Sequence, residues 1–160
     1  MAVHLDSKQA ILLRLLTDVF GKDNIVFDIS LWLLLQDFEN IASDNKDFKK
    51  LKCLFTILDK NSTPKMVVNF DPLYNKEKYI DIKELEKHQI LENTLKEVNV
   101  TYIVINKDDF EGLTHPKHPV NIVDLFNFKL GLDEESVKFL YSFLYYPRNF
   151  LFYLETAKSS

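Results

Sequence analysis

The chain opens on a helical stripe. Ile11, Leu12, Leu15, Leu16 and Val19 recur three and four positions apart behind Ser7, a residue able to cap, and Gly21 stands where helices commonly stop. Ile25 to Phe27 is short, β-branched and aromatic and predicts a strand, whereas Leu31 to Leu35 suits a strand or a helix. From Gln36 to Lys50 no period holds, with Phe38, Ile41 and Phe48 as apolar anchors, so this stretch is expected to be loosely structured. Two apolar runs, Cys53 to Leu58 and Met66 to Phe70, flank the polar turn Asp59-Lys60-Asn61-Ser62-Thr63-Pro64, the pattern of a β-hairpin. Asp81 can cap a helix carrying Ile82, Leu85, Leu91, Leu95 and Val98 at helical spacing, and Asn99 ends it. Val100 to Ile105 then predicts a strand with Tyr102 inside. A helix between two strands returns the chain in the same direction, so this strand is expected to run parallel to one hairpin strand.

The last third changes character. Thr114 to Pro119 is a turn-rich link with two prolines, and Asp124 to Lys129 predicts one short helical piece. Asp133 can cap a further helix, with Glu134 and Glu135 in its first turn where carboxylates suit the helix dipole, and Pro147 ends or kinks it. The aromatic residues that follow exceed what one helix face can bury. Phe139, Phe143, Tyr146, Phe150 and Tyr153 are therefore a candidate interface with another chain, the alternative being that they cover an open edge or face of the chain's own sheet. The pattern divides a single structural domain into an α/β core over residues 1–113 and an aromatic-rich helical extension over 114–160, packed on the core or on a partner.

Composition narrows the chemistry. A chain of 160 residues can bury roughly 70% of its unfolded surface without a disulfide or metal staple. With only three glycines, little room is left for the loops that bring a backbone close to phosphates. A net charge of -4 argues against a surface dominated by phosphate binding, because such surfaces cluster Lys and Arg. The lone Cys53 lies in a predicted strand and reads as a small buried side chain in a reducing compartment. No run approaches the roughly 18 apolar residues of a membrane span, and the expected location is the cytoplasm. There is no Gly-x-Ser-x-Gly elbow for a nucleophile. His115 and His118 have the spacing of zinc ligands without a partner pair nearby. His88 is either a general base on its helix or a surface or half-buried helper.

From the hairpin onward the chain resembles the restriction-endonuclease-like PD-(D/E)xK superfamily, in particular a bacterial domain-of-unknown-function branch near the very-short-patch repair nucleases. The run from Lys49 to Lys60 is similar to that branch's basic lead-in, Asp-Phe pair, apolar residues and Asp-Lys turn. The run from Pro64 to Asp71 is similar to its second strand, which in active members reads Pro, apolar residues, Glu, apolar, Asp. Lys87 to Ile105 resembles its helix and closing strand. The likeness covers Leu51 to Ile105 well, the first 50 residues loosely and the last third hardly at all. It implies a three-layer α/β core of N-terminal helix, β-hairpin, helix and parallel strand, followed by a C-terminal helical extension.

The same resemblance implies a degenerate site. In active members an Asp on the first hairpin strand and a Glu on the second hold Mg²⁺, which supplies an activated water and neutralises charge. Those positions fall here on Leu54 and Asn69, the acid and lysine slots of the helix on His88 and Leu91, and the basic residue of the last strand on Val104. The expectation is a pseudo-nuclease without a cofactor that acts as a protein interaction module or homodimer. Two alternatives accompany it. Asp59 and Asp71 can serve as displaced carboxylates for Mg²⁺, although turn roles suit both. Lys49, Lys50 and Lys52, within a cluster that also includes Lys46, Lys60 and Lys65, can contact nucleic acid without cleaving it, against the reading of a solvated lysine edge.

Overall fold

A computed structural model describes residues 5–36, 38, 46–75, 77–78 and 81–131. Helix α1 spans Ser7–Phe20 and is capped by Asp6 rather than by Ser7: the Asp6 carboxylate accepts from the Gln9 amide at 2.7 Å, and the Gln9 side chain accepts in return from the Asp6 amide. Gly21, at φ 88°, closes it in a conformation that a side chain would strain. Strand β1 follows over Ile25–Ser30, and the ambiguous leucines form a short helix α2, Leu31–Leu35, because the Ser30 hydroxyl caps it through the Leu33 amide.

Strands β2 (Lys52–Leu58) and β3 (Pro64–Phe70) make the expected hairpin, with a bulge between Ile57 and Leu58. Its turn is held by Asp59, whose carboxylate accepts from the amides of Asn61 and Thr63. Helix α3 (Ile82–Glu97) is capped by Asp81, and strand β4 (Thr101–Ile105) then runs parallel to β3, as a helical crossover requires. Ile82 departs from the expected apolar stripe: it is 67% exposed, and the buried face of α3 is His88, Leu91 and Leu95. Helix α4 (Lys107–Leu113), capped by Asn106, was not signalled by any apolar period; helix α5 (Ile122–Leu130), capped by Asn121 and closed by Gly131, extends the short helical piece expected there.

The four strands lie in the order β1-β2-β3-β4 with β1 antiparallel to β2, β2 antiparallel to β3, and β3 parallel to β4. Helices cover both faces. On β3, Met66 and Val68 turn to one cluster, with Leu12, Leu16 and Phe20 of α1, Phe110 of α4 and Phe126 of α5. Val67 turns to the other, with Leu34 of α2 and Leu91 and Leu95 of α3. The result is a mixed α/β architecture with five helices among the described residues. No helix among them is long and apolar enough to cross a membrane.

Cys53 is buried in the second cluster. Burial pushes its thiol from the usual 9.0 up to about 12. An acid whose folded pKa is raised loses its proton first in the unfolded chain, so stability is intact below about pH 9 and falls as pH climbs toward 12. At pH 10 this one thiol is expected to remove on the order of 1 kcal/mol, since each pH unit above the unfolded pKa costs about that much. Urea titrations at pH 8 and pH 10 check it: Cys53→Ala should show a smaller loss between the two pH values than the parent. Equal losses in both would show that Cys53 is not the group responsible.

Candidate functional site

Above the Phe55–Val68 pair the hairpin strands stop exchanging backbone bonds in register. The next step sets Leu54 opposite Asn69, the two positions where the resemblance calls for carboxylates. Asn69 is buried, and its carboxamide takes over the missing rung. Its Oδ1 accepts from the Leu54 amide at 2.8 Å, while its Nδ2 donates to the Lys52 carbonyl at 3.2 Å and to the Tyr102 hydroxyl at 3.0 Å. The Leu54 side chain packs half-buried against the first core cluster.

From Asn69 the bonding continues as a relay. Tyr102 Oη lies 2.7 Å from His88 Nδ1, and His88 Nε2 lies 2.8 Å from Asp71 Oδ2. The orientation of the Asn69 carboxamide follows from one fixed donor, the peptide N–H of Leu54. That N–H obliges Asn69 to present oxygen to it and nitrogen to Tyr102. Tyr102 therefore accepts from Asn69 and keeps a lone pair and its hydroxyl proton for the contact with Nδ1 of His88, whose Nε2 faces the Asp71 carboxylate. The Tyr74 ring packs against His88 with centroids 4.7 Å apart and planes at 65°. Burial pushes the Tyr102 hydroxyl far above the usual phenol range, against the pull of the Asn69 bond. Burial, with the nearby charges of Glu92 and Asp71, pushes the Tyr74 hydroxyl up to about 12.

His88 is thus neither on the surface nor half-buried: it is 7% exposed and engaged at both ring nitrogens. The signal was in its spacing, since His88, Leu91 and Leu95 share one helical stripe. Tyr102 and Tyr74 carried no comparable signal, because their partners lie far away in the chain. Leu91 is buried in the second cluster, and Val104 is buried on β4. Asp59 precedes β3 and Asp71 follows it, so the two carboxylates stand at opposite ends of a seven-residue strand, about 23 Å of extended chain. Asp71 also accepts from the Leu73 amide.

Lys49, Lys50 and Lys52 are exposed where the chain enters β2, with the Lys49 ammonium 5.1 Å above the Trp32 ring, while Lys60 lies in the turn at the far end of the hairpin and Lys65 at the start of β3. His115 accepts at Nδ1 from the amides of Lys117 and His118, a turn role. Phe139, Phe143, Tyr146, Phe150 and Tyr153 lie outside the described residues. Among the described residues no group of three His, Cys, Asp or Glu side chains is arranged to hold a metal ion.

Next to the relay, a cavity of about 780 Å³ runs along β4 between the loop after β3 and helix α5. Tyr102, Ile103 and Val104 form its floor, Tyr74 and Glu92 one wall, and Phe128 with Lys129 the other. Comparison of the chain with protein-family models, with curated proteins and with solved structures gives no match in any of the three.

Proposed function

We propose that the chain is a nuclease-like α/β domain that works by binding a protein, either a partner or a second copy, and does not cleave nucleic acid. The observation that carries this reading is how Asn69 is used. Where a hydrolytic member of the resembling superfamily offers a carboxylate to Mg²⁺, this chain offers a neutral amide whose oxygen and nitrogen are both committed to the protein itself. A hard divalent cation needs oxygen ligands, preferably charged, and Leu54 beside it supplies none. The element order supports the fold half of the reading: a helix, a β-hairpin, a helix and a strand parallel to the second hairpin strand follow one another as the resemblance implies. Asp71, the one acid of the pattern that remains, is turned toward His88 and the Leu73 amide.

The direct test is incubation with supercoiled plasmid, single-stranded DNA and RNA in Mg²⁺ or Mn²⁺. The expected result is no cleavage above a protein-free control, and no difference between the parent and Asp71→Ala. Metal-dependent cleavage that disappears in Asp71→Ala would overturn the reading.

A further inference from the structure

We infer that the groove between helix α1 and strand β1 is a binding site for a small organic anion with an apolar tail, the tail laid on Leu13, Ile25 and Phe27 and the anionic head held by Arg14 and Lys22. The groove has a volume of about 430 Å³ and lies at the β1 edge of the sheet, the opposite edge from β4. Helix α1 spends Leu12, Leu16, Val19 and Phe20 on the core. Leu13, Arg14 and Thr17 lie three and four positions apart, so they share a second stripe, and this one lines the groove together with Lys22, Ile25 and Phe27. Phe27 stays 38% exposed there. The Thr17 hydroxyl donates to the Leu13 carbonyl at 2.7 Å, which spends its proton inside the helix.

The charge of the lining selects the head group. Arg14 and Lys22 line the groove, and no Asp or Glu does. Ion pairs among the described residues belong to Lys65, Lys87, His88, Lys107 and Lys129, so neither cation of the groove is in contact with a carboxylate. A carboxylate on an apolar tail meets both demands of the site. Its tail leaves water against Leu13, Ile25 and Phe27, and the Arg14 guanidinium offers its head two parallel N–H donors. Size selects a small molecule over a protein segment. The volume falls within the range of small-ligand sites, roughly 300–1,000 Å³. A protein interface engages roughly 20–30 residues a side, and seven line this groove.

The test uses the full chain and octanoate as the probe, with three compounds that each change one feature: octylammonium reverses the head charge, 1-octanol removes it, and acetate removes the tail. Binding is read from amide chemical shifts by NMR. The expected result is a saturable shift at the amides of Leu13, Arg14, Ile25 and Phe27 with octanoate, an affinity for octanol about five- to tenfold weaker, and no saturation with acetate or octylammonium. Arg14→Gln combined with Lys22→Gln, both at exposed positions, should lower octanoate affinity about five- to tenfold and leave octanol unchanged. Phe27→Ser should weaken both. The inference is overturned if octanoate gives no saturable shift, if the shifts centre elsewhere on the chain, or if octylammonium binds as tightly as octanoate. Octanoate binding that survives the double substitution unchanged overturns it too. If octanoate fails while a capped peptide with glutamate beside leucine saturates the same amides, the groove belongs to a protein segment and the inference falls.

Discussion

Asn69→Asp is expected to lower folding stability by roughly 2–4 kcal/mol at neutral pH, the range for leaving a buried polar group unsatisfied and adding a buried charge without a cationic partner. The carboxylate would still accept from the Leu54 amide, but it has no proton for the Lys52 carbonyl, 3.2 Å from the present Nδ2, and that approach becomes oxygen against oxygen. Acidification should return part of the loss, since a protonated carboxyl regains one donor. Asn69→Leu, close in volume and without polar atoms, should be destabilised to a similar degree at every pH. Urea titrations of the three proteins at pH 7 and pH 5 separate the cases. A variant Asn69→Asp as stable as the parent at pH 7 would show that the carboxamide is not what joins the strands there.

Phe126→Ala is expected to cost about 3–5 kcal/mol, the usual range for truncating a fully buried Phe and leaving a cavity. Phe126 has no exposed surface, and its ring stacks on Phe20 of α1 with centroids 6.5 Å apart. For a chain of this size each kcal/mol moves the melting temperature by roughly 2–4 °C, so a fall of about 10–15 °C should be seen by calorimetry. The companion is Phe128→Ser, two residues on in the same helix and 84% exposed, where a change within about 0.5 kcal/mol is expected. A small effect at Phe126 would mean that α5 can leave the core at little cost.

Much of this fold was legible because its elements obey local rules. Apolar runs of strand length around a turn gave the hairpin, Asp81 and Asn99 bracketed α3, and Gly21 closed α1. The failures have local causes too. Helix α4 has seven residues, too few for a period to show, although Asn106 and Asp109 form a reciprocal cap that a search for caps would have found. Leu31 to Leu35 is leucine-rich throughout, and only the Ser30 cap and the packing of Leu31, Leu34 and Leu35 select the helix. The relay was illegible for a different reason. Asn69 meets Tyr102 across 33 positions, and Tyr102 meets His88 across 14, separations that no window of sequence contains. What the sequence did offer was the identity of the residue at the strand fork, without its use: the resemblance implies that Asn69 is a lost ligand, and the geometry makes it a strut.

The relay has one further consequence. Its far end is anchored at a peptide group that cannot ionise, so the carboxamide cannot swing through half a turn without breaking its strand bonds. Such a strut ties four side chains, from two strands, a helix and the loop after β3, to a single backbone amide.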